Sequence, residues 1–160
     1  MNVIMAPHPD DEIIGCFEIL KKGNCVVNFT TKLNKERAEE CLNLRNHFDV
    51  KFIYFQYSVP PAFLSIKNTF YFPHPIYETH PEHRLLGQHG ERLLRNGYNV
   101  IFYSTIMNAP FIFETPFSEE KKKVLNLLYP SQKSLWEYDY KYFLFSGYDK
   151  WLIELGNENG

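Results

Sequence analysis

Three apolar residues in succession, Val3-Ile4-Met5, run straight into Ala6-Pro7-His8-Pro9-Asp10-Asp11-Glu12, and beyond that turn Ile13, Phe17 and Leu20 recur at helical spacing. A strand that is apolar on both of its faces needs cover on both sides. An open parallel sheet flanked by helices supplies that cover, whereas an antiparallel sheet with one solvated face does not. The chain therefore begins with a buried strand that passes directly into a helix. The turn between them holds a histidine and three consecutive acids, which crowd metal-ligand and acid/base groups into a few residues.

The alternation continues along the chain. Lys21-Lys22-Gly23 closes the first helix with cations and a glycine. Cys25 to Thr31 predicts a second strand, the stripe Cys41, Leu44 and Phe48 a second helix opening at Asn34, and Val50 to Tyr57 a third strand. Pro60-Pro61 starts an irregular stretch that reaches Asn68, too short for a long crossover helix. Thr69 to Phe72 predicts a fourth strand, closed by Pro73-His74-Pro75, and a helix follows from Pro81 to Arg95. Pro81 suits the first helical position because its missing N–H would have no intrahelical partner there. Asn96-Gly97 ends that helix and Tyr98 to Ser104 predicts a fifth strand. Thr105 to Phe117 reads as irregular. Ser118-Glu119-Glu120 then opens a helix with the stripe Val124, Leu127 and Leu128, and its Lys121-Lys122-Lys123 run reads as a solvated face. Ser131 to Gly156 is aromatic-rich and reads as mixed helix and loop, with Asn157 to Gly160 fraying.

Strands alternating with helices predict an α/β fold: a Rossmann-like, doubly wound, mostly parallel sheet of about five strands in the order 3-2-1-4-5, with helices on both faces. The 160 residues suffice for one domain with a real core, and a single domain spanning 1–160 is expected. A formal net charge of −2 with 22% charged residues argues against a basic phosphate-tracking face, so bulk nucleic-acid binding is not expected. Three cysteines with no C-x-x-C pair fit reduced thiols, and no apolar run approaches the ~20 residues of a membrane span. With no basic segment ahead of the first strand, a cytoplasmic location is expected.

In a 3-2-1-4-5 sheet, the loops after strands 1 and 4 face each other at the carboxyl edge, where such folds bind ligands. The loop after strand 4 carries Thr79-His80-Pro81-Glu82-His83, with two histidines at i and i+3 on one helix face. A catalytic zinc takes three nitrogen or oxygen ligands and leaves one position open. His8 and Asp11 supply two ligands and one of His80 and His83 a third; spacing alone does not decide which. Two imidazoles and one carboxylate leave the metal a net charge of about +1, which favours ionisation of a bound water. Asp10 can receive that water's proton, and the other histidine can approach from the opposite side. The parts suit metal-assisted amide hydrolysis.

These residues resemble the zinc-dependent de-N-acetylases related to LmbE and to N-acetylglucosaminyl-phosphatidylinositol deacetylase (PIG-L). The matching hallmarks are the (A/P)-H-P-D-D-E turn, Pro7 to Glu12, and the later H-x-x-H motif, His80 to His83. The resemblance implies zinc on His8, Asp11 and His83, Asp10 as general base, and His80 as oxyanion stabiliser or general acid. It further implies that Arg37, in an R-x-x-E segment with Glu40, contacts substrate, and it extends to a K-x-x-x-L…S-Q stretch over Lys123 to Gln132. The expected substrate is a small N-acetylated compound such as an amino sugar. A nucleotide- or nucleic-acid-linked N-acyl group, or an inactive metal-binding module, is the alternative. Iron (Fe2+) suits a similar mixed donor set. Phe17-Glu18 stands where the family usually has a glycine pair, and the chain is shorter between strands 3 and 4 and at its end. An open site, or one completed by another subunit of a homo-oligomer, is therefore also expected.

Overall fold

The computed structural model describes residues 1–29, 33–54, 59–107, 109–137, 139 and 141–149. A five-stranded parallel sheet organises it: β1 (Asn2–Ala6), β2 (Cys25–Asn28), β3 (Lys51–Tyr54), β4 (Thr69–Pro73) and β5 (Asn99–Tyr103), in the order β3-β2-β1-β4-β5. Val3 pairs with Cys25 on one side and Phe70 on the other, which puts β1 at the centre. The expected order and parallel sense are borne out. Of the expected second and third strands, residues 30, 31 and 55–57 lie outside the described residues, as do residues 150–160 of the aromatic-rich stretch and the chain end.

Alternation along the strands separates two apolar layers. Ile4, Ala6, Val26, Tyr71, Ile101 and Tyr103 point to the layer that holds α1 (Asp11–Cys16), α2 (Lys35–Phe48) and α4 (Ser118–Leu128), contributed through Ile13, Leu44 and Leu125. Val3, Met5, Cys25, Val27, Phe70 and Phe72 point the other way, towards Leu86 of α3 (Pro81–Arg95). The helix after β1 thus covers one face and the helix after β4 the other, so the winding changes direction between these neighbouring strands. That opens a crevice at their carboxyl ends. On α3, Gly87 and Gly90 permit close approach: a Cβ on Gly87 would lie 2.5 Å from the Pro73 carbonyl oxygen and one on Gly90 2.7 Å from the Phe72 ring.

Three local features depart from the sequence reading. The first helix stops at Cys16 and gives way to a 3-10 turn, Phe17–Ile19, rather than continuing to Lys21. The carbonyls that would extend it are taken by distant partners: Ile14 O accepts from Lys121 Nζ at 2.8 Å, and Gly15 O from the Gly147 N–H at 3.0 Å. Second, Lys121 does not belong to a solvated face. It is fully buried, its Nζ also donates to Phe145 O at 2.6 Å, and burial pulls its ammonium down to about 7. Third, a short antiparallel ladder joins β6 (Phe113–Glu114) to β7 (Phe145–Ser146), with α5 (Lys141–Leu144) just before β7. β6 falls in the stretch expected to be irregular. Among the described residues no helix is long and apolar enough to cross a membrane.

Candidate metal centre

The turn after β1 is held in an unusual backbone state. Asp10 has φ 109° and ψ −27°, a left-handed conformation that non-glycine residues rarely adopt and that costs roughly 1–3 kcal/mol. Although Asp10 precedes α1, its side chain does not cap the helix. The Asp10 backbone N–H donates instead to Glu12, at 3.2 Å to Oε2. Glu12 is fully buried rather than simply starting a helix, and its Oε1 accepts from the Tyr129 hydroxyl. Arg37 clamps the other side of the turn. Its Nη2 donates to Pro9 O and lies 4.0 Å from Asp10 Oδ2, and its Nη1 donates to Ser131 Oγ at 3.3 Å. The guanidinium also sits 5.5 Å from the centre of the Tyr129 ring.

The turn brings His8 and Asp11 against the first turn of α3. His8 Nδ1 lies 3.1 Å from His83 Nε2, His8 Nδ1 is 3.5 Å from Asp11 Oδ2, and His83 Nε2 is 3.2 Å from the same oxygen. Donors about 2.0–2.1 Å from a tetrahedral zinc stand about 3.3 Å apart, so this triangle has the dimensions of one face of such a site. Two nitrogens and one carboxylate oxygen are also a chemically suitable donor set for a divalent ion. His8, Asp11 and His83 can therefore hold a metal ion.

The outer nitrogens of both histidines face carboxylates. His8 Nε2 lies 2.7 Å from Glu82 Oε2, and the buried His83 Nδ1 lies 3.6 Å from Glu78 Oε2. Glu78 is itself fixed by the Thr105 backbone N–H at 2.7 Å. Carboxylates in such places orient an imidazole and strengthen it as a ligand.

No family model, curated protein or solved structure matches the chain.

The electrostatics of the metal-free group follow from burial and crowding. Burial opposes charge on His83, yet the Asp11 charge and hydrogen bond, helped by Glu78, raise it to about 10. For Asp11 burial is likewise overcome, by the two histidines, and its carboxyl is held well below the usual range. His8 is raised, burial again losing to Asp11. Asp10 goes up through burial and the Asp11 and Glu12 charges, against Arg37. Burial raises Glu12 to about 7, with the Tyr129 hydrogen bond pulling the other way.

All the residues singled out in the sequence meet in this region, in different roles. His83 is the histidine that joins His8 and Asp11. His80 is exposed and caps α3, its Nδ1 accepting the Glu82 N–H at 3.1 Å. That bond leaves the proton of a neutral His80 on Nε2, where it can be donated. The His80 and His8 ring centroids are 4.8 Å apart, and burial, then the His8 and His83 charges, lower the His80 pKa. Arg37 spends its guanidinium on Pro9, Ser131, Asp10 and Glu40. Sequence reasoning passed over Glu82 and Tyr129. An acid in the first turn of a helix is ordinary, which hides Glu82, and Tyr129 is one of 11 tyrosines with no local pattern to mark it.

Proposed function

We propose that this chain is a zinc-dependent hydrolase that removes an N-acyl group, foremost acetyl, from an amino sugar or a related small amide. The observation that carries the proposal is the triangle of His8 Nδ1, Asp11 Oδ2 and His83 Nε2, set at the sheet's switch point with a buried, uncapping aspartate beside it. When bound there, zinc supplies a Lewis acid and lowers the pKa of its water to about 7. Asp10, buried next to Asp11 with its carboxyl raised by burial and by the Asp11 and Glu12 charges, takes the proton from the attacking water. His80 donates from Nε2 to the oxygen on which negative charge develops. Arg37, through Pro9 O, and Tyr129, through Glu12, keep the turn in the conformation that presents Asp10 and Asp11.

Resemblance of Pro7–Glu12 and His80–His83 to the LmbE and PIG-L deacetylases supports both the reaction and the N-acetyl substrate class. Iron is the second metal that the donor set suits. The three cysteines are buried thiols, in keeping with a reducing, cytoplasmic setting.

The test is amine release from free N-acetyl amino sugars and from nucleotide-linked N-acyl compounds, by protein loaded with zinc or with ferrous iron. Asp10→Asn should retain the metal of the wild type and lose turnover by about 10²–10⁴-fold, the range ascribed to a positioned acid/base group. Metal and turnover disappearing together in that variant would remove Asp10 from the role. Stoichiometric metal without amine release from any of the compounds would make the chain a metal-binding module.

A further inference from the structure

We infer that the outer side of His8 forms, with Glu82 and His80, a second and weaker divalent-cation site whose filling inhibits the reaction at the first. The inference rests on the metal reading of the inner triangle and adds a mode of regulation to it. His8 turns Nδ1 inward and Nε2 outward. The outward nitrogen lies 2.7 Å from Glu82 Oε2, and His80 brings a ligand atom within 4.8 Å of both. Two imidazoles and a carboxylate make this a second complete set of three donors, sharing one residue with the inner set.

The two sets differ in access. Asp11 and His83 have side chains only 6% exposed, whereas those of His8 and Glu82 are 29% and 65% exposed. An ion at the outer set reaches its ligands directly from solvent and completes its coordination with water. The donors are also partly fixed in advance, because the Glu82 N–H bond to His80 Nδ1 holds the His80 ring at the start of α3. To enter, the ion replaces the proton between His8 Nε2 and Glu82 Oε2, and that proton leaves to solvent.

Loss of that proton, together with repulsion from an ion already at the inner triangle, makes the outer site the weaker of the two. The Glu82 charge offsets part of the repulsion. Occupancy also ties His80 to a metal, which withdraws the donor assigned above to the developing oxyanion. Zinc in excess is therefore expected to act as an inhibitor that works through Glu82.

The experiment is equilibrium dialysis of the metal-free full chain against rising free zinc, with bound zinc measured by mass spectrometry, alongside anomalous scattering at the zinc edge from crystals grown at excess zinc. Wild type should show one tight and one weaker class, the second ion lying against Glu82. Glu82→Gln keeps an acceptor for the His8 N–H but is a poor ligand, so it should lose the weaker class and keep the tight one, loosened by about 10–100-fold at most through loss of the carboxylate behind His8. Saturation of wild type at a single zinc, or a weaker class that survives in Glu82→Gln, overturns the second site. The reading of the inner triangle fails differently: His83→Ala would then leave the tight class intact.

Discussion

Replacing Tyr129 with Phe should destabilise the metal-free chain, and by more at high pH than at low. The Tyr129 hydroxyl donates to Glu12 Oε1, and both residues are fully buried. Burial raises the Glu12 carboxyl from 4.5 to about 7, with this hydrogen bond opposing the rise. An acid raised in the folded state lowers stability as pH climbs from its unfolded value to its folded one. Glu12 in the wild type therefore costs about 3 kcal/mol across that window, and the cost persists above it. At about pH 5.5 the folded protein holds Glu12 neutral, and the variant gives up an ordinary hydrogen bond, about 1 kcal/mol. At about pH 8.5 the lost bond is one to a buried carboxylate, about 1.5–3 kcal/mol. The excess at high pH measures the extra rise in the Glu12 pKa, at about 1.4 kcal/mol per unit.

Phe preserves the ring beneath the Arg37 guanidinium, so the comparison isolates the hydroxyl. The assay is urea denaturation with chelator present at both pH values. At typical slopes a loss of about 2 kcal/mol moves the midpoint by about 1 M. Losses that are equal at the two pH values, or larger at the lower one, would show that Tyr129 does not serve the Glu12 carboxylate and would refute the proposed support of the turn.

Three further outcomes can be checked. Gly15→Ala places a Cβ 2.4 Å from the ring of Tyr103, which is fully buried and tied by its hydroxyl to Met5 O, so the variant should lose about 1–3 kcal/mol, visible as a lowered melting temperature. Lys121 is lowered from 10.5 to about 7, so between those values the unfolded state binds more protons and the wild type gains stability as pH rises. Lys121→Met should remove that gain, and parallel stability curves for the two proteins from neutral pH to about pH 10 would contradict it. Because His83 in the metal-free chain is raised to about 10, it is protonated at neutral pH and must release about one proton when Nε2 takes a metal. Calorimetric heats of zinc binding should therefore depend on the ionisation enthalpy of the buffer, and apparent affinity should rise with pH.

The sheet was legible in the sequence because its strands are short, apolar runs separated by unambiguous helix signals. Val3-Ile4-Met5 allows no one-sided sheet, and Pro81 together with Gly97 brackets α3 almost to the residue. The inner triangle was legible in part, since His8, Asp11 and the H-x-x-H pair are recognisable by type and spacing. What separates His83 from His80 is burial and the direction in which each ring points, and a three-residue spacing on a helix encodes neither.

The supporting residues were harder for a definite reason. Tyr129, Ser131 and Lys121 reach α1 or the Arg37 that clamps the turn from more than ninety residues away, and nothing local marks a tyrosine, a serine or one lysine of three as the one that turns inward. Lys121 misled because Lys122 and Lys123 beside it resemble a solvated run. The early end of α1 was hidden for the same reason, since the groups that take its last carbonyls belong to the far end of the chain.

Those distant contacts bear on the order in which the protein assembles. Lys121 meets Ile14 across 107 residues of chain, Tyr129 meets Glu12 across 117, and Ser146 meets Glu18 across 128. Closures of this length are among the slowest steps available to a small domain. During synthesis the strand that leads into the acidic turn emerges well before the residues that brace the turn. A nascent chain halted at about residue 115 would hold His8, Asp11, His80 and His83 with Glu12 still lacking its hydroxyl partner and α1 its cation. Bracing of the turn thus depends on residues that follow it by more than a hundred positions, and not on the presence of the candidate ligands alone.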